Sequence, residues 1–153
     1  KWAQVAPPPL LLDQLGALKK EARLTWKTFD RIHDWLALNI PCMSMEDNVG
    51  VGVMGAVITE LAEIITLSKT IYGLENKYLS ERGEIETKVV KYEGAESFKN
   101  GLAVYDANTW DDIERGWRSL MRGVLLAHSV LAKNMKVLKE PRKKRDASYM
   151  LAM

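Results

Sequence analysis

Residues 9–41 read PLLLDQLGALKKEARLTWKTFDRIHDWLALNIP, and this stretch decides the fold class. Apolar residues recur along it at alternating steps of three and four, which is the spacing of one face of an α-helix. They are Leu11, Leu15, Leu18, Ala22, Phe29, Ile32 and Leu36, with the polar Thr25 in the one remaining place. The stretch therefore predicts a long amphipathic helix over about residues 10–39.

Prolines mark both ends of this predicted helix. Pro9 suits the first helical turn, where its missing N–H has no partner to lose. The residue before Pro41 is pushed out of the α region, so the helix should end near Asn39 or Ile40. The other prolines also lie outside the periodic stretches. Proline placed in this way is typical of a chain built from long helices.

A second helix is predicted over residues 49–90. Its apolar face consists of Met54, Val57, Leu61, Ile64, Ile71, Leu74 and Tyr78. Asp47 or Asn48 is a good N-cap candidate. The glycine-containing run over residues 49–53 is taken as the close-packed start of this helix, although it also alternates like a strand.

A third helix is predicted over residues 107–139, capped by Asp106 or Asn108. Its stripe consists of Ile113, Trp117, Leu120, Val124, Ala127, Leu131 and Leu138. The pattern over residues 91–105 is broken, which predicts a connection with at most one short helical turn. Three helices of this length indicate an all-α bundle, and a fourth helix would cover their apolar stripes better.

Composition excludes several classes of protein. The sequence has 153 residues, of which 47% are hydrophobic and 27% charged, so we expect a folded domain. The net charge of +2 is too balanced for a dedicated nucleic-acid-binding protein. The uncharged apolar runs are too short to span a bilayer, so we expect no membrane partner. A single cysteine excludes an internal disulfide and any multi-cysteine metal site.

We find no enzyme signature in the sequence. The two histidines, His33 and His128, lie on different predicted helices. Asp30 and Asp34 flank His33, but a solvated or partly packed side chain explains this pattern better than catalysis does. Cys42 has no base near it in sequence, so a free thiol is the default. The sequence therefore predicts a protein that is not an enzyme and has no cofactor and no metal site.

A basic run follows Pro141. It consists of Arg142, Lys143, Lys144 and Arg145. Such a run is a candidate nuclear-localisation signal or an anion-binding patch. A solvated helix end explains the same pattern.

Three stretches of the sequence are more informative in combination than any one of them alone. They are residues 40–53 (IPCMSMEDNVGVGV), residues 77–83 (KYLSERG) and residues 131–142 (LAKNMKVLKEPR). In this order and spacing they resemble three parts of the 11S (REG) proteasome activator family: the activation loop with the following helix start, a motif of the third helix, and the end of the last helix. Three matched blocks are more specific than any single motif.

The resemblance implies an all-α fold. Each protomer would be an up-and-down four-helix bundle, of which this chain holds three long helices, and the protomers would assemble into a heptameric ring. Residues 1–9 would end the family's linker, residues 10–142 would form the helical bundle domain, and residues 143–153 would be the C-terminal tail. The family is not enzymatic. It activates the 20S proteasome core particle without ATP, docking by its tails and opening the α-ring gate through its activation loops, which stimulates peptide hydrolysis.

Carried onto this sequence, the resemblance implies two sets of functional residues. The activation loop comprises Ile40, Pro41, Cys42, Met43, Ser44, Met45, Glu46, Asp47, Asn48 and Gly50. The proteasome-binding tail comprises Tyr149, Met150, Leu151, Ala152 and Met153. Carboxylate and amide side chains of the loop can accept hydrogen bonds from a partner. In this topology the loop after Pro41 and the chain after Pro141 lie at the same end of the bundle.

The partners would then be the α-subunit ring of the core particle and further copies of this chain, forming a homo-oligomer, most simply a heptamer. The location would be cytoplasmic, nuclear or both. Two other functions stay open on the residues alone. One is a structural helical-bundle oligomerisation scaffold, and the other is a nucleic-acid-associated protein that uses the basic run.

Overall fold

The computed structural model describes residues 6–45 and 47–142, and every regular element in these ranges is an α-helix. The helices are α1 (Pro9–Asn39), α2 (Val49–Tyr72), α3 (Leu74–Lys91) and α4 (Glu96–Lys139). The prediction of an all-α chain is therefore confirmed. Pro9 lies in the first turn of α1, and Ile40 is extended with ψ 123°, as expected of a residue before proline.

The second predicted helix corresponds to α2 and α3 together. Their only interruption is Gly73, whose N–H donates to the carbonyls of both Lys69 and Thr70. The carbonyl of Gly73 in turn accepts from Lys77 N at 3.1 Å. Since the hydrogen-bond ladder passes through Gly73, α2 and α3 act as one continuous rod.

The three rods run up, down and up around one elongated core. At one level the second half of α1 meets the first half of α2 and the second half of α4. At the other level the first half of α1 meets the α2–α3 junction and the middle of α4. The first level contains Phe29, Leu36, Met54, Val57, Leu61, Ile64, Ile65, Ala127 and Leu138. The second contains Leu11, Leu15, Leu18, Ala22, Ile71, Tyr78, Ile113 and Leu120.

The last helix is longer than its sequence pattern predicted. It begins at Glu96, so the expected connection over residues 91–105 and the expected start near residue 107 are wrong. Asp106 and Asn108, the predicted caps, both lie inside α4. The connection between α3 and α4 is a short turn.

A polar interruption of the apolar stripe explains this error. Leu102 extends the buried face of α4 towards its N-terminus, but Asp106 and Thr109 occupy the next places along that face. Both side chains are satisfied there: Thr109 Oγ1 donates to the Tyr105 carbonyl at 2.8 Å, and Asp106 accepts hydrogen bonds from α3. A prediction from apolar residues alone therefore places the start of α4 too late in the chain.

Arg82 of α3 stands at the centre of this polar cluster and is only 3% exposed. Its Nε donates to Oδ1 of Asp106 at 2.8 Å and its Nη2 to Oδ2 at 3.0 Å. The hydroxyl of Tyr78 donates to the same carboxylate at 2.8 Å, and Glu86 pairs with Arg82 from the next turn. Burial, together with the hydrogen bond to Asp106, raises the pKa of Tyr78, so the phenol stays protonated as a donor. The cluster fixes the register of α3 against α4.

The predicted apolar stripe of α4 is only partly correct. Its buried members are Ile113, Leu120, Ala127 and Leu138. Val124 is exposed, whereas Gly116 and Gly123 are buried on the same face. A Cβ on Gly116 would lie 2.7 Å from Cδ2 of Leu18, so glycine permits a close approach of α1. The glycines mark a tight contact that hydrophobicity alone does not reveal.

A flank of α4 carries exposed apolar side chains. They are Trp110, Met121, Val124, Leu125 and Met135. At 100° per residue these positions lie on one side of the helix, next to the buried face. A strip of this kind on one flank is typical of a surface that another helix covers.

One stretch within residues 49–91 is apolar and long enough, by length and composition, to cross a membrane, with a mean hydropathy of 1.7. The prediction that no segment spans a bilayer applies to uncharged runs. In this stretch Glu60 and Glu63 interrupt the apolar run. Met54, Val57 and Leu61 from this stretch lie in the bundle core. Packing against α1 and α4 therefore accounts for part of its apolar character, since 33% of the stretch is buried.

Replacing Arg82 with leucine removes the cation while Asp106 stays in place. We expect the free energy of unfolding to fall by about 3–5 kcal/mol, because breaking a buried ion pair leaves the other charge uncompensated. Urea denaturation followed by circular dichroism, at a fixed protein concentration, measures the change.

The matched control is Arg118→Leu on α4, whose side chain is 75% exposed. Its effect should stay within about 0.5 kcal/mol, as for most surface substitutions. Equal losses for the two variants would contradict the structural role of the buried pair.

Candidate functional site

The segment between α1 and α2 forms a loop closed by one side chain. Nδ2 of Asn48 donates to the Ser44 carbonyl at 2.6 Å, and the Ser44 N–H donates to Oδ1 of Asn48 at 3.0 Å. The amide of Asn48 thus pairs with both backbone groups of one residue, as a neighbouring strand would. This double hydrogen bond holds the loop in one shape without further secondary structure.

Two residues, Asp47 and Asn48, cap the start of α2. Asn48 occupies the N-cap position but makes no side-chain hydrogen bond to its own helix. Asp47 accepts the N–H of Val49 at 3.0 Å through Oδ1. The carboxylate also lies at the positive end of the helix dipole, which favours negative charge. Both cap candidates from the sequence therefore take part: Asp47 bonds the helix through its carboxylate, and the Asn48 carbonyl accepts the N–H of Gly52 at 2.9 Å.

The end of α4 packs directly against this loop. The Pro141 carbonyl lies so close to Gly50 that a Cβ at position 50 would collide with it. On the other side of the loop, Arg142 donates a hydrogen bond from its guanidinium to the Cys42 carbonyl. The expectation that the loop and the segment after Pro141 share one end of the bundle is confirmed as far as Arg142.

The solvent-facing part of the loop carries two methionines beside the exposed Ser44 and Asp47. Met43 is 74% exposed and Met45 is fully exposed, and Val49 beside them is 76% exposed. The sequence predicts Glu46, Asp47 and Asn48 as contact residues, and this role stays a prediction. Asp47 and Asn48 hold the loop together, while Glu46 lies outside the described residues. The alternation of methionine with small residues over positions 42–45 was the signal for this surface.

The structure describes only part of the predicted tail region. Arg142 is placed, as stated above, but Lys143, Lys144 and Arg145 lie outside the described residues, and so does the whole candidate tail. The candidate tail comprises Tyr149, Met150, Leu151, Ala152 and Met153. The predictions for these residues stay predictions.

The structure does not gather the other candidate groups into a site. His33 Nδ1 lies 3.4 Å from Oδ1 of Asp34 on the α1 surface, while His128 is exposed on α4. Cys42 is a free, exposed thiol in the loop. Within residues 6–45 and 47–142 no three histidine, cysteine or acidic side chains form a group that could hold a metal ion.

Comparison with known proteins shows which family the chain matches. The family model described as "Proteasome activator PA28, C-terminal" matches residues 4–148. Proteasome activator 28 of Dictyostelium discoideum is 25% identical over 116 residues, which are 76% of this chain and 52% of that protein. Proteasome activator complex subunit 3 of Homo sapiens is 22% identical over 132 residues, or 86% of this chain and 52% of that protein. The chain thus spans about half the length of the curated relatives it matches.

Solved structures show the same fold. The 11S subunit of the Plasmodium falciparum proteasome, PA28, superposes with a TM-score of 0.80 at 26% identity, covering 87% of this chain and 62% of that one. A chain from a proteasome–11S activator complex superposes with a TM-score of 0.83 at 23% identity, covering 94% of this chain and 72% of that one. The matched proteins are activators, in agreement with the prediction of a protein that is not an enzyme.

Replacing Gly50 with alanine tests the contact between the loop and α4. We expect the free energy of unfolding to fall by about 1–3 kcal/mol, because the added methyl group overpacks a contact made by rigid backbone. Thermal or urea denaturation measures the change.

Gly52→Ala is the matched control, since a Cβ there meets nothing within 4 Å. It lies in the same helix turn and should gain about 0.5–1 kcal/mol from the better helix propensity of alanine. A neutral or stabilising Gly50→Ala would mean that the end of α4 does not rest on Gly50.

Proposed function

The chain belongs to the PA28 proteasome activator family, and from this premise we propose that it activates the 20S proteasome core particle without ATP. The activator docks on the α-subunit ring by its C-terminal tails and opens the gate through residues 40–48. Peptides then reach the catalytic chamber and are hydrolysed faster. The observation that carries this proposal is the contact of the loop with the end of α4 at one end of the bundle.

The placement of this loop suits a gate-opening role. A loop that opens a gate must be held in a fixed position relative to the docking tail. Ordering a flexible loop on binding would cost conformational entropy and reduce the binding free energy. Asn48 forms a hydrogen bond to Ser44 within the loop, and Pro141 contacts Gly50 just after the loop. A tail that continues from Arg142 therefore leaves the bundle beside the loop. Docking of the tail brings the loop to the partner surface.

The chemistry of the loop defines what it contacts on the α ring. Met43 and Met45 present long, flexible and polarisable side chains to solvent. Such side chains adapt to an apolar partner surface and contribute mainly by burial of apolar area. The gate surface facing these two methionines would therefore be apolar, and their contribution would depend little on salt concentration.

Assembly into a homo-oligomeric ring, most simply a heptamer, supplies the remaining affinity. A single short tail and one loop bury little area, whereas tails linked in one ring bind with a high effective concentration. The exposed apolar flank of α4, which includes Met121 and Leu125, supports the presence of a covering helix from a neighbour or from the upstream chain. The nuclear-localisation role of residues 142–145 stays a prediction that belongs to this proposal.

A peptidase assay with the purified core particle, combined with negative-stain imaging, tests the proposed function. The activator raises hydrolysis of a fluorogenic peptide and forms rings that cap the core particle in the absence of ATP. Rings without stimulation would favour the oligomerisation scaffold. A protein that shifts a nucleic-acid probe at physiological salt but leaves the core particle unchanged would favour the nucleic-acid function.

Deleting residues 149–153 should reduce binding to the core particle at least tenfold and remove stimulation, because the apolar end of the tail and its main-chain carboxylate are lost. Sedimentation with the core particle measures binding. The control Met150→Ala keeps the tail length and its carboxylate and should retain most of the binding. Undiminished stimulation by the deletion variant would contradict docking by the tail.

Replacing Asn48 with alanine removes both hydrogen bonds to Ser44, worth about 1 kcal/mol each. We expect stimulation at saturating activator to fall at least fivefold while the dissociation constant changes less than threefold. Asn134→Ala is the control, since Asn134 makes a comparable hydrogen bond to the Val130 carbonyl on α4. A variant that failed to bind would show that the loop is mainly a docking element.

A further inference from the structure

The contacts of the residues that leave α4 lie on both sides of the loop. Arg142 reaches the Cys42 carbonyl, which belongs to the first part of the loop and is separated by 100 positions in the chain. Pro141, one residue earlier, presses its carbonyl against Gly50 beyond the last part of the loop. The chain after α4 is therefore fixed to both ends of the segment that faces the partner.

The hydrogen bond from Arg142 is strong and does not depend on the side chain at position 42. A backbone carbonyl accepts from a guanidinium whatever the side chain at position 42, and a charged donor roughly doubles the strength of the bond. The Nε of Arg142 is buried and the residue as a whole is half-buried, so part of the side chain is withdrawn from solvent where it reaches the loop. A solvated member of a basic run would keep its guanidinium in water.

We propose that Arg142 is a positioning residue for the activation loop, and that it links the seating of the tail to the placement of the loop over the gate. The proposal rests on the proposed function of the loop. Arg142 sets where Cys42 and Met43 stand relative to the start of the tail. A tail drawn into its pocket then carries the loop to a defined place on the α ring. Without this link the tail still docks, but the loop is poorly placed.

Arg142→Gln tests the link, and Lys139→Gln is its matched control. Lys139 lies in the last turn of α4, and its replacement removes the same charge at the same end of the bundle. Hydrogen–deuterium exchange of peptides covering residues 42–48, measured on the assembled protein alone, should rise at least threefold in Arg142→Gln and stay unchanged in Lys139→Gln. Unchanged exchange in Arg142→Gln would overturn the contact.

The second arm uses the core particle. Arg142→Gln should lower maximal peptide hydrolysis at saturation at least fivefold while the dissociation constant changes less than threefold. Arg142→Lys keeps one charged donor and should recover part of the lost stimulation. Loss of binding in Arg142→Gln, or an equal loss in Lys139→Gln, would mean that Arg142 acts as a docking charge and would overturn the proposal.

The two arms separate this proposal from the proposed function. If the unaltered protein does not stimulate the core particle, the activator function fails, and the linking role of Arg142 fails with it. The exchange arm still decides whether Arg142 holds the loop. If the unaltered protein stimulates hydrolysis and Arg142→Gln does so equally, only the role of Arg142 is overturned.

Discussion

The close contact between Gly50 and the Pro141 carbonyl is the constraint on which the loop-bearing end of the bundle depends. It places the start of α2 against the end of α4, so that two segments far apart in sequence share one surface. Only glycine leaves room for this approach, because any Cβ would meet the carbonyl. Around it, Asn48 closes the loop on Ser44, and Arg142 binds its first part. Each of these contacts thus involves a backbone group of the loop or of the start of α2.

The rest of the bundle keeps this end in register. The buried pair of Arg82 and Asp106 fixes α3 against α4, and Gly116 allows α1 to pack closely on α4. Apolar periodicity predicted α1 and the α2–α3 rod well, since apolar side chains occupy most of their buried positions, Ser68 and Arg82 being the exceptions. It failed at the start of α4, where Asp106 and Thr109 lie on the buried face. The hydrogen-bond donors to Asp106 lie in α3, and Thr109 bonds back to the Tyr105 carbonyl, so the apolar pattern could not show that these polar residues belong to a helix.

The sequence marked the position of the loop, but it could not show which polar side chains bond within the loop. Ile40, Pro41 and the glycines after Asn48 marked a loop between two helices, and their resemblance to a known motif assigned it a role. The sequence suggested acidic and amide contacts, yet Asp47 and Asn48 bond within the loop. Which polar side chain is used internally depends on the three-dimensional path of the loop. For the same reason Arg142 looked like part of a basic run, although its guanidinium binds the Cys42 carbonyl.

A cryo-electron microscopy structure of the full-length protein bound to the 20S core particle tests the central claim most directly. We expect a ring whose loop-bearing end faces the α subunits, with residues 40–48 against the gate, the tails in pockets between subunits and the central pore open. A complex that docks by the opposite end, where α3 turns into α4, would contradict it. So would a docked ring whose loops stand clear of the gate while the pore is open.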